Sequence, residues 1–211
     1  LLEELEELAR ARQIRVLHGR FVEKEAAFPY YGFCEVVQDY FQQRELGSSS
    51  SGQPDLSNIA AELIALFPML SEIEPIRTAA GDSAVATRSD KAPAENRNQI
   101  YELLARTVTR LAGGKPLLVL FEDLHGADAS VEALQYVLRR LAPTPTLIVG
   151  TYRPNEIEKG HPLNKALAGF RGDRQFASIS LGPFPPPEHR EFVATLLGGT
   201  EVSGSLAKQL F

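Results

Sequence analysis

The run Leu117-Leu118-Val119-Leu120-Phe121 is apolar at every position and stops at two adjacent carboxylates, Glu122 and Asp123. Successive strand residues point to opposite sides, so a strand with one buried face alternates apolar and polar. An uninterrupted apolar run instead predicts a strand buried on both faces, as in a parallel sheet covered by helices on each side. A second such run is Leu147-Ile148-Val149-Gly150-Thr151, and shorter apolar or β-branched runs lie at 14–17, ending near His18-Gly19-Arg20, and at 176–181. Between them the apolar residues recur at helical spacing. Leu1, Leu2, Leu5, Leu8 and Ala9 form one stripe, and Phe33, Val36, Val37, Tyr40 and Phe41 another. Ile100, Leu103, Leu104, Val108 and Leu111 make a third that stops at Gly113-Gly114, and Val131, Leu134, Val137, Leu138 and Leu141 a fourth. Further helices are expected at 56–67, at 163–170 and after the prolines of 183–187. Strands alternating with helices predict an α/β fold of three layers around a parallel sheet.

With 211 residues, 44% of them hydrophobic, the chain has enough apolar material for one sizeable core and is read as one domain over 1–211. The segments 47–52, Gly-Ser-Ser-Ser-Ser-Gly, and 79–94 read as flexible polar loops. A formal net charge of -5 argues against a nucleic-acid-binding surface. No apolar stretch approaches the roughly 20 residues needed to cross a bilayer. The single cysteine, Cys34, sits in an aromatic run and reads as inert packing, which fits a reducing cytoplasm. The opening residues are acidic and amphipathic, unlike a signal peptide, and the sole methionine is Met69. The chain is therefore expected to begin inside a longer protein.

The carboxylate pair carries the chemistry. In open α/β sheets ligands bind beyond the carboxyl ends of the strands. Two acids there can divide the handling of a nucleoside triphosphate. One holds Mg²⁺ through its water shell, and the other orients or deprotonates the attacking water. Taken alone, the pair reads equally well as a strand running into a polar turn. The continuation Leu124-His125-Gly126-Ala127-Asp128 separates the two readings. This segment resembles the Walker B region of the STAND signalling ATPases, relatives of the AAA+ proteins, in which an apolar run and two acids precede Leu-His-Trp-Ala-Asp. Here Gly126 takes the place of the tryptophan. Leu147-Ile-Val-Gly-Thr-Tyr-Arg-Pro154 resembles the next strand of that family, whose end bears a Thr-x-Arg sensor. His161-Pro162-Leu163 and 181–188 resemble later segments, and 18–37 looks most like bacterial serine/threonine kinases that carry this ATPase followed by helical repeats.

The resemblance implies a P-loop NTPase fold of the ASCE or AAA type that binds ATP with Mg²⁺. It implies metal and catalytic roles for Glu122 and Asp123, and nucleotide-facing roles for Thr151 and Arg153. Glu122 would help hold Mg²⁺ and Asp123 would polarise water, although the two roles are exchangeable because the order Glu-Asp inverts the familiar one. Implied partners are the nucleotide, further copies of the chain and other domains of a parent protein, with no direct nucleic-acid or membrane contact. No kinase signature is present.

No Gly-x-x-x-x-Gly-Lys-Ser/Thr occurs in the sequence. Gly113-Gly114-Lys115 precedes a strand instead of opening a helix, the wrong context for a phosphate loop. In the family that loop lies just before the helix with which this chain opens, so the domain is expected to be incomplete at its N-terminus. The strand that leads into the loop lies centrally in the family's sheet. Without it, strand edges would stand unpaired at about 1–3 kcal/mol per buried backbone group, which predicts poor stability for the isolated chain. The rival from another class is a non-catalytic interaction scaffold on a degenerate ATPase fold, which Gly126 favours. An unrelated doubly wound enzyme would need a nucleophile or a Gly-x-Gly-x-x-Gly turn, and neither is visible.

Overall fold

The structure is a computed structural model, and it describes residues 1–21, 29–45, 54–81 and 97–198. It divides into two units, Leu1–Phe170 and Arg171–Phe211. The elements of the first are α1 (Leu2–Ala11), β1 (Arg15–Arg20), α2 (Tyr31–Glu45), α3 (Ala60–Leu66), α4 (Glu74–Ala80), α5 (Arg97–Ala112), β2 (Leu117–Glu122), α6 (Asp128–Leu141), β3 (Thr146–Gly150) and α7 (Pro162–Phe170). The second unit contributes α8 (Pro186–Leu196).

The three strands form one parallel sheet in the order β1-β2-β3. Arg15 lies opposite Leu117 and Arg20 opposite Glu122, while Leu117 lies opposite Thr146 and Phe121 opposite Gly150. Leu117, Val119 and Phe121 point into the larger core, built with α2 to α7, and Leu118 and Leu120 point into a smaller one with Ala9 of α1 and Val16. Both faces of β2 are thus buried, which is why its sequence is apolar without alternation. The expected α/β architecture, with helices on both faces of a parallel sheet, is what the chain forms. Among the described residues no helix is long and apolar enough to cross a membrane.

The turn between α1 and β1 reverses the chain in three residues. Gln13 takes a left-handed conformation (φ 58°). The Ile14 N–H then reaches the Ala9 carbonyl at 2.9 Å and the Gln13 N–H the Arg10 carbonyl at 2.9 Å. These are the paired bonds of a Schellman ending, with Ile14 and Ala9 in apolar contact beneath it. The reversal directs the N-terminus of α1 towards the carboxyl ends of the strands.

On the other face α2 lies unusually close to β1. A Cβ on Gly19 would stand 2.2 Å from the Gly32 carbonyl oxygen, so only glycine permits that approach. The closeness lets α2 seal the outer edge of β1. Glu35 accepts from the Arg20 N–H at 2.5 Å, Asp39 accepts from the His18 N–H at 2.8 Å, and Gln43 donates to the Val16 carbonyl at 3.0 Å. Four helical residues rise about 6 Å and two strand residues about 6.6 Å, so an i, i+4, i+8 row of polar side chains stays in step with alternate strand residues. Cys34, on the buried side of α2, has its thiol pushed up to about 12 by burial, in keeping with inert packing.

Several expectations need correction. The strand read from 14, ending near His18-Gly19-Arg20, is found at Arg15–Arg20 and needs none. The helix read at 56–67 begins only at Ala60, since Leu56 and Ile59 form a preceding turn, and the following residues make a 3-10 turn at Pro68–Glu72 and then α4. The loop expected at 79–94 therefore starts after Ala80. Residues 82–94 and the loop at 47–52 lie outside the described residues. β3 is not deeply buried, because Leu147 is 56% exposed and no strand pairs with its outer edge among the described residues. The strand expected at 176–181 does not form. The Phe176 N–H turns back onto the Asp173 carbonyl, and Ile179 and Leu181 are 79% and 74% exposed. β-propensity without a ladder partner leaves the backbone to water and local turns. Further on in this unit the rings of Phe184 and Phe192 stack at 5.2 Å.

Candidate functional site

β2 and β3 run parallel, so their carboxyl ends lie side by side and the chemistry-bearing residues after each meet there. β2 ends at Glu122, whose side chain is 35% exposed. Phe21, Phe33 and Phe121 pack beneath, with ring centroids 5.1 to 6.4 Å apart, giving the strand end a rigid apolar floor. The next residue, Asp123, adopts a left-handed conformation (φ 59°, ψ 44°). Aspartate tolerates that region better than most residues, yet a non-glycine there is strained and often marks a functional turn. The bend swings the chain over β3, where the Leu124 N–H donates to the Thr151 carbonyl at 2.8 Å. Gly150 makes the crossing feasible, since a Cβ there would lie 2.3 Å from Leu124 Cδ1. Gly126, in the place of the expected tryptophan, is buried and its N–H closes the turn on the Asp123 carbonyl at 2.8 Å.

Glu122, Asp123 and Thr151 are therefore brought together. The Thr151 N–H continues the ladder to the Phe121 carbonyl at 2.9 Å, and its hydroxyl lies 3.4 Å from the Asp123 N–H. Arg153 lies at the same end of the sheet, but its guanidinium donates to Glu156 at 2.7 Å and is 69% exposed. That hydrogen bond holds the Glu156 carboxyl below the usual range.

Four further polar residues belong to this end of the sheet and were assigned no role from sequence. Arg20, opposite Glu122 in the ladder, donates from Nη2 to Glu122 at 2.9 Å, with its Nε 3.6 Å from Asp123. Glu122 accordingly raises the Arg20 guanidinium above its ordinary value. Burial pushes the Glu35 carboxyl up, against the opposing pull of the Arg20 N–H. His125 and Glu156 join through Nε2 at 2.7 Å. A signal for Arg20 existed, because a basic residue at one strand end is a natural partner for acids at the next. It required the strand order, which sequence does not supply.

A cavity of about 240 Å³ lies elsewhere, on the outside of α5 and α6. Its arginines are already matched with acids, Arg140 to Glu102, Arg106 to Glu62 and Arg110 to Asp55, so it presents no free positive charge. The carboxylate site is an open shelf, not a closed pocket.

The AAA ATPase domain family matches residues 1–149, from α1 into β3. Glu122 and Asp123 fall inside the matched span, whereas Thr151 and Arg153 fall just beyond it. Neither the curated proteins nor the solved structures compared with the chain gave a match. The matched span takes in well over half of the 211 residues. A parallel sheet with helices on both faces is consistent with the fold of such a domain, and the chain belongs to the AAA ATPase domain family.

Proposed function

We propose that the chain is an ATP-binding and hydrolysing switch module of the STAND class, working in the cytoplasm as part of a larger bacterial regulatory protein. Its partners there are further copies of itself or attached kinase and helical-repeat domains. The observation that carries this reading is the meeting of Glu122, Asp123 and Thr151 at the carboxyl end of a parallel sheet in an AAA domain. Acids there manage metal and water, and a hydroxyl one strand over is in place to follow the terminal phosphate.

The donor set suits Mg²⁺ that arrives with its nucleotide. Glu122 and Asp123 are hard oxygen donors, and no group of three or more acidic, His or Cys side chains gathers to cage an ion among the described residues. Mg²⁺ keeps several waters and is commonly bound by one or two carboxylates plus substrate phosphates. When bound, it neutralises charge on the phosphate oxygens. In this reading Glu122 faces the metal's water shell, and Asp123 accepts a hydrogen bond from the attacking water and aligns it with the γ-phosphate. Thr151 and Arg153 report the loss of that phosphate.

The phosphate cradle is assigned to a strand and glycine-rich loop that pair with the outer edge of β3. Support comes from the asymmetry of the sheet. The edge of β1 is sealed by Glu35, Asp39 and Gln43, whereas β3 has no partner or side-chain seal on its far side among the described residues. Calorimetry tests this part. The 211-residue chain is expected to bind ATP·Mg²⁺ feebly or not at all, and a chain extended at its N-terminus through the parent's phosphate-binding strand to bind it. Micromolar binding by the shorter chain contradicts the assignment. Binding by neither chain supports the interaction-scaffold reading.

A further inference from the structure

Asp123 and Arg153 lie on different loops, and two side chains, His125 and Glu156, stand between them. We propose that His125 is a positioning residue that couples Asp123 to Arg153 through Glu156. The proposal rests on the reading of this end of the sheet as the nucleotide site, and extends it to how the two loops communicate.

The His125 imidazole is held in the turn that follows Asp123, with its side chain only 7% exposed. Its Nε2 lies 2.7 Å from one oxygen of Glu156 and 4.0 Å from Asp123 Oδ1. The other oxygen of Glu156 receives Arg153 Nη1 at 2.7 Å. The backbone is fixed as well, because the His125 carbonyl accepts from His161 Nε2 at 2.9 Å, while His161 Nδ1 accepts from the Leu163 N–H at 3.1 Å. His161 is thereby set as the Nε2–H tautomer and clamps the β2 loop to the start of α7.

The ring has one hydrogen to give. His125 Nδ1 is buried and has no hydrogen-bond partner. A lone pair there is tolerated far better than an unpaired N–H, which places the ring hydrogen on Nε2. That hydrogen goes to Glu156, and Asp123 Oδ1, at 4.0 Å, stands beyond hydrogen-bond range of the ring, while Asp123 Oδ2 faces Arg20 Nε at 3.6 Å. The arrangement is exclusive: Nε2–H serves Glu156 or Asp123, not both. Drawing Arg153 towards an anion strips Glu156 of its cation, changes how strongly it holds the ring, and so changes what Asp123 meets. A discrete change of hydrogen-bond partner is the kind of two-state element that coupling between sites requires.

The test uses the ligand-free 211-residue chain and nuclear magnetic resonance, so its outcome does not depend on ATP hydrolysis. The probes are the Asp123 side-chain carboxyl carbon and the ring nitrogens of His125. In the unmutated chain, ring nitrogens that show the Nδ1–H tautomer would overturn the proposal before any variant is made. Arg153→Gln does not touch the ring, yet it is expected to shift both signals. In a His125→Phe background, which keeps the ring volume and removes the N–H, the same change is expected to leave the Asp123 signal still. His125→Gln, with an amide N–H able to reach Glu156, is expected to restore part of the shift. An Asp123 shift that persists with phenylalanine, or that is absent with histidine, overturns the coupling. Failure of ATP hydrolysis in the parent protein would instead overturn the functional reading and leave these shifts as they are.

Discussion

The Asp39 carboxylate accepts the His18 backbone N–H at 2.8 Å and, on the same oxygen, the Gln43 side-chain amide at 2.9 Å. It is the centre of the row by which α2 closes the edge of β1, with Glu35 above and Gln43 below. An edge strand whose polar groups are covered cannot recruit another strand. Among the described residues the sheet is thus sealed at β1 and unpaired at the far edge of β3.

Asp39→Ala removes the acceptor from the His18 N–H in a part-buried place and leaves the Gln43 amide without its anchor. A loss of about 1–3 kcal/mol is expected in urea unfolding. Asp39→Asn keeps a carbonyl oxygen in position and should recover most of it.

Gly19→Ala places a methyl group 2.2 Å from a backbone oxygen of α2, which cannot move aside as a side-chain tip could. Overpacking of this kind costs about 1–3 kcal/mol. Gly160 has nothing within 4 Å of the same built position, so Gly160→Ala should stay within about 0.5 kcal/mol in the same assay.

Gln13 and Asp123 both hold left-handed backbones, at φ 58° and 59°. Glycine at either position relieves a strain of about 1 kcal/mol. Gln13→Gly should therefore raise the melting temperature and do nothing else. Asp123→Gly should raise it too, while abolishing the hydrolysis assigned to that carboxylate. A melting temperature lowered by both would contradict the conformations described.

Glu102 on α5 accepts a two-pronged hydrogen bond from Arg140 and a third from the Tyr136 hydroxyl, both on α6. Arg140 first and Tyr136 second hold its carboxyl below the usual range. A depressed carboxyl contributes stability above its unfolded value, near pH 4, that is lost as pH falls through the folded value. Unfolding followed from pH 7 to pH 2 should show Glu102→Gln less stable at neutrality, with the difference closing in acid. A constant gap across that range would mean that ionisation of Glu102 is not what joins the two helices.

The strands with uniform apolar sequence were legible because burial on both faces writes itself into consecutive residues, and β2 obeys this at every position from Leu117 to Phe121. β3 carries the same pattern yet lies half exposed, because no strand covers its far edge among the described residues. The segment at 176–181 fails for the related reason that β-propensity cannot make a strand without a ladder. At the candidate site, the place of Glu122 and Asp123 at a strand end was readable. The place of Arg20 and Glu156 beside them was not, because it depends on which strand lies beside which and on a turn that aims His125 inward. The α4 helix was missed because it is seven residues long and opens on Glu74-Pro75, too short for periodicity to register.

The central claim is that the Asp123 carboxylate acts on water at a nucleotide site completed along the open edge of β3. Phosphate release from ATP by the N-terminally extended chain, compared with its Asp123→Asn variant, tests it most directly. Asparagine keeps the left-handed turn and the side-chain volume while removing the charge. The account predicts that ATP affinity changes little and turnover falls by about a hundredfold or more, the scale of losing a positioned general base. Turnover equal to that of the unsubstituted chain, at unchanged affinity, would contradict it.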